Sequence, residues 1–344
     1  MKALITGAAG FVGSHLVDSC LAQGHSVRVI VRKSSDLTYL KTLEDRIEIV
    51  YGDLTDCESV LKAAAGMDVI FHPAGRVTDW GSREDFYQAN CVATEHLLEA
   101  AKAAKVPRFV FVSSPSIFAD NEDHIDFDET KPYPKHYANY YAETKAISER
   151  EVLAANSPTL VTCSLRPRGI WGPRDKSGFL PKLMSSIAKG KLKNLAPGKK
   201  VMTSICHVQN IADACLLAAA SPNVGGKAYF IADDEQLVLW DFLDEVARTF
   251  GLKPIEGSVN PVILNFLVGM IELIWKIPAL KNKKSPPISR YSASLLTKHG
   301  TYSIARATKD FGYRPRVSPH QGLKDLKKDI DAHGGLDEFL KHVS

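Results

Sequence analysis

Short apolar runs alternate with helical patterns through the first half of the chain, as expected of parallel strands joined by crossover helices. The runs predict strands at Ala3–Thr6, Ser26–Val31, Ile47–Tyr51, Val69–His72, Phe109–Ser113 and Thr159–Leu165. Between them, helical spacing is read over Phe11–Gln23, Asp56–Ala65, Glu84–Ala104 and Tyr140–Ala155. Runs such as Phe109-Val110-Phe111-Val112 show no polar alternation, which predicts strands covered on both faces. The pattern is that of an α/β fold with a doubly wound parallel sheet.

After Arg166-Pro167 the pattern loosens, and Gly172-Pro173, Pro181 and Pro197-Gly198 mark turns. Helical spacing returns at Ile211–Ala220 and Leu239–Phe250, around a short strand near Ala228–Ile231. This predicts a nucleotide-binding domain over 1–170, to which the chain returns at about 204–235. A smaller mixed substrate-binding lobe is predicted from 171–203 and 236–344. One stretch, Val262 to Trp275, is strongly apolar and is followed by Lys281, Lys283 and Lys284. It is shorter than the ~20 residues of a spanning helix and carries Asn265 and Glu272. Two readings stay open: a helix packed over the smaller lobe, or a peripheral membrane contact through 262–275 with a basic flank.

Composition narrows the classes. The chain has 344 residues, 45% hydrophobic and 24% charged, enough apolar material for two lobes. Lys+Arg 43 against Asp+Glu 39 leaves a net +4, too small and too dispersed for a nucleic-acid footprint, so no nucleic-acid partner is expected. Six cysteines, at 20, 57, 91, 163, 206 and 215, form no C-x-x-C pair and sit beside no histidine at zinc spacing. No metal site is expected, and the thiols read as reduced. The apolar run after Met1 is too short for a signal peptide before the first turn, so a cytoplasmic location is expected, with membrane association as the alternative.

Thr6-Gly7-Ala8-Ala9-Gly10-Phe11-Val12-Gly13 follows the first predicted strand and opens the first helix. Gly7 permits the tight turn, Gly10 lets the backbone approach a pyrophosphate, and Gly13 lets helix and strand pack closely. The helix N-terminus then offers free amides and a favourable dipole to the phosphates. This strand–turn–helix context makes the sheet Rossmann-type. Gly52-Asp53-Leu54 follows the third strand, where the Asp53 carboxylate can accept from an adenine amino group. His72-Pro73-Ala74-Gly75 follows the fourth, along the expected path of the cofactor. At the end of the second strand stand Arg32 and Lys33, with no carboxylate until Asp36. An acid there would hold the ribose hydroxyls of NAD, whereas Arg32 can clamp a 2′-phosphate, so NADP is expected, with NAD as the alternative.

Tyr141-Ala142-Glu143-Thr144-Lys145 places a tyrosine and a lysine on one helix face, a turn apart. A phenol is too weak an acid to exchange protons readily at neutral pH, and a nearby ammonium is expected to lower its pKa. Ser113 and Ser114 end the preceding strand, where a hydroxyl can bind the reacting oxygen.

With the nucleotide loop, the serine-ended strand and the Tyr/Lys helix in that order, the chain resembles the extended short-chain dehydrogenase/reductase superfamily over nearly its whole length. The resemblance implies Ser114, Tyr141 and Lys145 as the catalytic residues. Ser114 is preferred to Ser113 because it stands four residues before Phe118, as in the family's S-x-x-V-Y pattern. It also implies Phe11, Val12, Leu54, Ala74, Tyr141, Lys145 and Pro167 as cofactor contacts. Asn90 falls on the family's N-x-x-G-T segment, where Ala93 replaces the glycine, a departure expected to affect helix packing. Within the superfamily the chain is similar to the 3β-hydroxysteroid dehydrogenase-like group, on Tyr140 to Lys145, Leu165 to Asp175, His207 to Asn210 and Ala305 to Pro315. Sterol-4α-carboxylate 3-dehydrogenases and 2-alkyl-3-oxoalkanoate reductases both fit, the second better on Arg32 and the Arg-Pro-Arg run.

Both subgroups imply a ketone or secondary alcohol β to a carboxylate on a bulky hydrophobic small molecule, with Arg168 or Arg174 as candidate carboxylate ligands. The resemblance also implies a homodimer. The rival readings are a nucleotide-sugar epimerase or dehydratase, which shares the fold and the three catalytic residues, and a non-enzymatic NADP-binding sensor.

Overall fold

The computed structural model describes residues 1–78, 80–275 and 288–343. Its strands are β1 (Lys2–Thr6), β2 (Ser26–Val31), β3 (Ile47–Tyr51), β4 (Val69–His72), β5 (Arg108–Val112), β6 (His124–Phe127) and β7 (Val161–Pro167). The shorter β8 (Ile170–Trp171), β9 (Met202–Thr203), β10 (Cys206–His207), β11 (Lys227–Ile231), β12 (Leu237–Val238) and β13 (Gly300–Tyr302) follow.

The main sheet has seven strands in the order β11-β7-β5-β4-β1-β2-β3, all parallel. Its central strands are apolar throughout because helices cover both faces: β4 is buried at all four positions, and β1 and β5 at all but the first. One face packs Ile5, Val29, Phe71 and Val110 against the helices Phe11–Ala22 and Val208–Ala220, and the other packs Leu4, Ile70 and Phe109 against Cys57–Ala64 and Ala93–Ala103. The strand order reverses between β1 and β4. In such sheets that reversal opens a crevice at the strands' carboxyl ends. Gly7 and Ala74 both lie there.

The core of the first face also takes in Ala307, Phe311 and Tyr313, which the expected division assigns to the smaller lobe. The Tyr313 hydroxyl donates to the carbonyl of Ala232 over 3.0 Å. A second core gathers Trp171, Met184, Phe242, Leu243 and Leu326 from the helices Phe179–Ala188, Leu239–Thr249 and Pro319–Ala332. Beside it, β12-β9-β13-β6 form a mixed sheet. The apolar stretch forms the helix Pro261–Trp275, which enters this core through Leu264 and Val268. Lys281, Lys283 and Lys284 lie outside the described residues.

The helix expected over Glu84–Ala104 is three pieces: Arg83–Phe86, a π-helical turn at Tyr87–Val92, and Ala93–Ala103. A wider turn of this kind changes the facing of the side chains beyond it, and such turns recur at functional sites.

Candidate active site

Gly7 takes a left-handed φ of +60°, and a Cβ on it would meet the Ala74 Cα at 2.9 Å. The loop is therefore pressed directly onto the segment after β4. A Cβ on Gly13 would fall 2.2 Å from the Gly7 carbonyl oxygen, so the helix starts flush against the turn. Gly10 is the N-cap of Phe11–Ala22 and supplies no capping side chain, which leaves the first amides of that helix for a ligand. The glycines make the cradle that a dinucleotide pyrophosphate requires, and the residues fit that group. Phe11 and Val12 form its first turn, with Phe11 edge-on to His15 at 5.8 Å.

Below the cradle runs a buried polar chain that the motif did not reveal. The Thr6 hydroxyl meets His72 Nδ1 at 2.8 Å, His72 Nε2 meets the Thr94 hydroxyl at 3.1 Å, and Thr94 donates to the Asn90 carbonyl at 2.6 Å. The Ala74 amide donates to the Thr6 hydroxyl at 3.3 Å. Burial drives the His72 pKa well below its ordinary value, reinforced by the Lys145 charge, so the ring is a neutral strut.

At the second strand's end Arg32 and Lys33 are exposed. The Asp53 carboxylate is held by the amide and hydroxyl of Thr55, at 2.9 and 2.8 Å. These bonds lower its pKa, and the Arg32 charge adds to the effect. Leu54 packs on the second face of the sheet, and Pro167 ends β7 in a buried position.

The helix Tyr140–Ala154 begins where Asn139 caps it, its side chain accepting from the Ala142 amide at 2.8 Å. Tyr141 is thereby fixed in the first turn. The Ser114 hydroxyl stands close enough to its phenol to pull the pKa down, and Tyr291 stands nearby. Burial pushes the Tyr141 pKa above its ordinary value, an effect the Ser114 bond opposes. The expected lowering by Lys145 is not found. The Lys145 ammonium is turned onto the Val112 carbonyl at 2.8 Å and lies over the Phe111 ring at 4.4 Å. Burial pushes the Lys145 pKa down to about 8, against the opposing pull of Glu149. A Cβ on Gly75 would stand 3.4 Å from Lys145 Nζ and 3.0 Å from Asn90 Oδ1, so the loop after β4 runs directly past the ammonium.

Asn90 ties these pieces together. Its Oδ1 accepts from the Arg76 amide at 2.7 Å, and its Nδ2 donates to the Thr144 hydroxyl at 3.0 Å. The π-helical turn aims that side chain between the loop and the helix Tyr140–Ala154.

Sequence reasoning also missed Glu149, one turn beyond Lys145. It is fully buried, paired with Arg166 at 2.6 Å, and accepts from Tyr133 at 2.6 Å and Ser164 at 2.7 Å. The signal was available: a carboxylate four residues from a lysine that must face inward.

Of the two candidate arginines, Arg174 is committed to packing. It donates to Asp18 at 2.7 Å and lies 4.0 Å from the centre of the Tyr39 ring. Arg168 lines a small cavity with Pro115, Ser116, Asp120, Glu122, Tyr291 and Tyr302, and Pro115 follows Ser114 in the chain. Among the described residues no carboxylate pairs with Arg168, and its buried Nε and the buried Ser116 Oγ have no hydrogen-bond partner.

Residues 4–259 match the model of the 3-beta hydroxysteroid dehydrogenase/isomerase family. The chain belongs to that family. It is, with it, an NAD(P)-dependent oxidoreductase. The 2-alkyl-3-oxoalkanoate reductase of Stenotrophomonas maltophilia is 34% identical, over 95% of this chain and 98% of that protein. The crystal structure of gox2253 superposes with a TM-score of 0.79 at 26% identity, over 97% of this chain and 98% of that one. The UDP-glucose 4-epimerase of Thermotoga maritima shares the fold alone, with a TM-score of 0.74 at 19% identity over 97% and 99% of the two chains. No helix among the described residues is long and apolar enough to cross a membrane.

Proposed function

We propose that the protein reduces a ketone lying β to a carboxylate on a bulky apolar molecule, a 2-alkyl-3-oxoalkanoate in preference to a 3-oxo sterol acid, using NADPH. The observation that carries this reading is the pairing of Ser114 and Tyr141 beside a cavity in which Arg168 and Ser116 present unpartnered polar atoms. A half-buried guanidinium whose buried Nε lacks a partner is matched by an anionic oxygen.

When bound, the dinucleotide supplies the hydride that reduces the carbonyl carbon and is itself oxidised. The protein's own residues do the rest. Ser114 binds the carbonyl oxygen and holds it against Tyr141. As negative charge develops there, the phenol gives up its proton, and the product leaves with one new C–H and one new O–H bond. A buried phenol with a raised pKa is protonated at neutral pH, as a proton donor must be. Lys145, charged below about pH 8, stands beside the Gly75 loop on the expected path of the dinucleotide and helps to hold it. Arg32 favours the 2′-phosphate of NADPH.

The test is oxidation of NADPH and NADH against 2-alkyl-3-oxo acids, their methyl esters, sterol ketones and UDP-sugars. Turnover of the free acids with NADPH, lost in the esters, is expected. Turnover of esters and acids alike would remove the role of Arg168, and epimerisation of a UDP-sugar without net cofactor consumption would replace the reading.

A further inference from the structure

Arg168 is held in one place. A Cβ on Gly300 would stand 3.0 Å from Arg168 Nη2, so the missing side chain leaves the room that the guanidinium occupies. The guanidinium carbon lies 5.9 Å from the centre of the Tyr302 ring. The acids that line the cavity are engaged, Asp120 with His124 at 3.0 Å and Glu122 with Lys298 at 3.6 Å. The cavity encloses about 30 Å³, room for roughly one or two waters. The end of a molecule fits there, and an alkyl chain does not.

Tyr291 belongs to both halves of the site. It lines this cavity with Arg168 and Ser116, and it stands near the Tyr141 phenol. Its place is fixed from several sides. Tyr291 lies in the first turn of the helix Arg290–Thr297, where Ser289 and Ser292 cap each other's amides at 2.8 and 3.0 Å. Arg290 ties that turn to Glu272 at 2.7 Å, and Ala293 and Leu296 root the helix in the second core.

On the reading that Ser114 and Tyr141 hold the ketone and Arg168 the carboxylate, the chemistry of a 3-oxo acid says what Tyr291 meets. A single carbon, C2, joins those two groups, and in a 2-alkyl acid that carbon carries the branch. A side chain that stands at both ends of the join faces C2. We infer that the Tyr291 ring walls the position of C2 and selects which C2 configuration, and how bulky a branch, the site accepts. The outcome at C3 is governed by Tyr141 and the dinucleotide, so Tyr291 acts on selectivity and not on the chemical step.

Oxidation of 2-alkyl-3-hydroxy acids with NADP⁺ tests this. Their C2 keeps its configuration, whereas a C2 between ketone and carboxylate epimerises through the enol. In this direction C3 loses a hydride to the dinucleotide, and its hydroxyl loses a proton to the Tyr141 phenolate. Separate assays of the four stereoisomers give one ratio of kcat/KM for C2 and one for C3. The parent chain should prefer one C2 configuration. Tyr291→Ala should lower the C2 ratio on the order of tenfold and leave the C3 ratio unchanged. The same variant should oxidise an unbranched 3-hydroxy acid at near the parent's rate. Tyr291→Phe keeps the ring and should keep both ratios, and Tyr291→Trp should penalise long branches more than short ones.

A C2 ratio that stays at the parent's value in Tyr291→Ala overturns the inference and leaves the substrate reading intact. So does a parent without C2 preference, or a fall of both ratios together, which would mark a general loosening of the site. If the alanine variant does not fold, Tyr291→Trp decides alone, and equal losses for long and short branches overturn the inference. A parent chain that oxidises none of these acids removes the substrate reading, and the inference with it.

Discussion

Glu149 and Arg166 meet at 2.6 Å in the interior, one helical turn beyond Lys145, with no solvent on either side chain beyond a few per cent of its surface. Burial would raise the Glu149 pKa, but the Arg166 charge and three donors outweigh it and hold the carboxyl below its usual range. The pair clamps the helix Tyr140–Ala154 to β7, since Arg166 lies on that strand. Glu149→Ala leaves a buried guanidinium uncompensated and should cost about 3–5 kcal/mol in chemical denaturation. A loss below 1 kcal/mol would show that the helix is held elsewhere.

The same carboxylate should set the alkaline limit of activity. Lys145 titrates near pH 8 in this site, and the Glu149 charge is what opposes a still lower value. The ammonium is present below that pH and lost above it, so reduction should decline as pH rises through about 8. Glu149→Gln removes the opposing charge and moves that limb of the kcat/KM profile to lower pH. An unmoved limb would assign it to another group.

Tyr141→Phe keeps the ring and removes the proton. Its reduction rate should fall about 100- to 10,000-fold while dinucleotide binding, followed by fluorescence, is retained. A near-normal rate would take the proton from elsewhere. Ser114→Ala should lower the rate less, because it removes one bond to the oxygen and leaves the donor.

Arg32→Ala should weaken NADPH by about 1.5–3 kcal/mol and leave NADH unchanged, the cost of one charge-assisted contact to the 2′-phosphate. Titration with the two cofactors separates these outcomes, and an equal loss of both would deny the phosphate contact.

Gly13→Ala places a Cβ where the Gly7 backbone oxygen already lies, and neither backbone can retreat without opening the turn. Dinucleotide affinity should collapse, and stability should fall by about 1–3 kcal/mol. Gly24→Ala, on an open turn of φ +73°, supplies the control, straining only its own residue.

The sequence by itself determined the parallel sheet. Runs such as Val69–His72 cannot be solvated on either face, so they had to become inner strands with helices on both sides. It also determined the nucleotide turn, because Gly7, Gly10 and Gly13 meet requirements that are local to one strand–turn–helix unit. The helix that carries Tyr141 and Lys145 a turn apart was legible for the same reason.

What lay outside local spacing only the tertiary structure decided. The π-helical turn that aims Asn90, the chain from Thr6 through His72 to Thr94, and the pairing of Glu149 with Arg166 all join residues distant in sequence. Whether Lys145 faces the phenol or the Val112 carbonyl depends on where β5 ends, not on its distance from Tyr141. Spacing likewise could not tell Arg174, spent on Asp18, from Arg168, left beside the cavity. A periodic pattern reports which face an element buries. The partner waiting on that face is supplied by the rest of the chain.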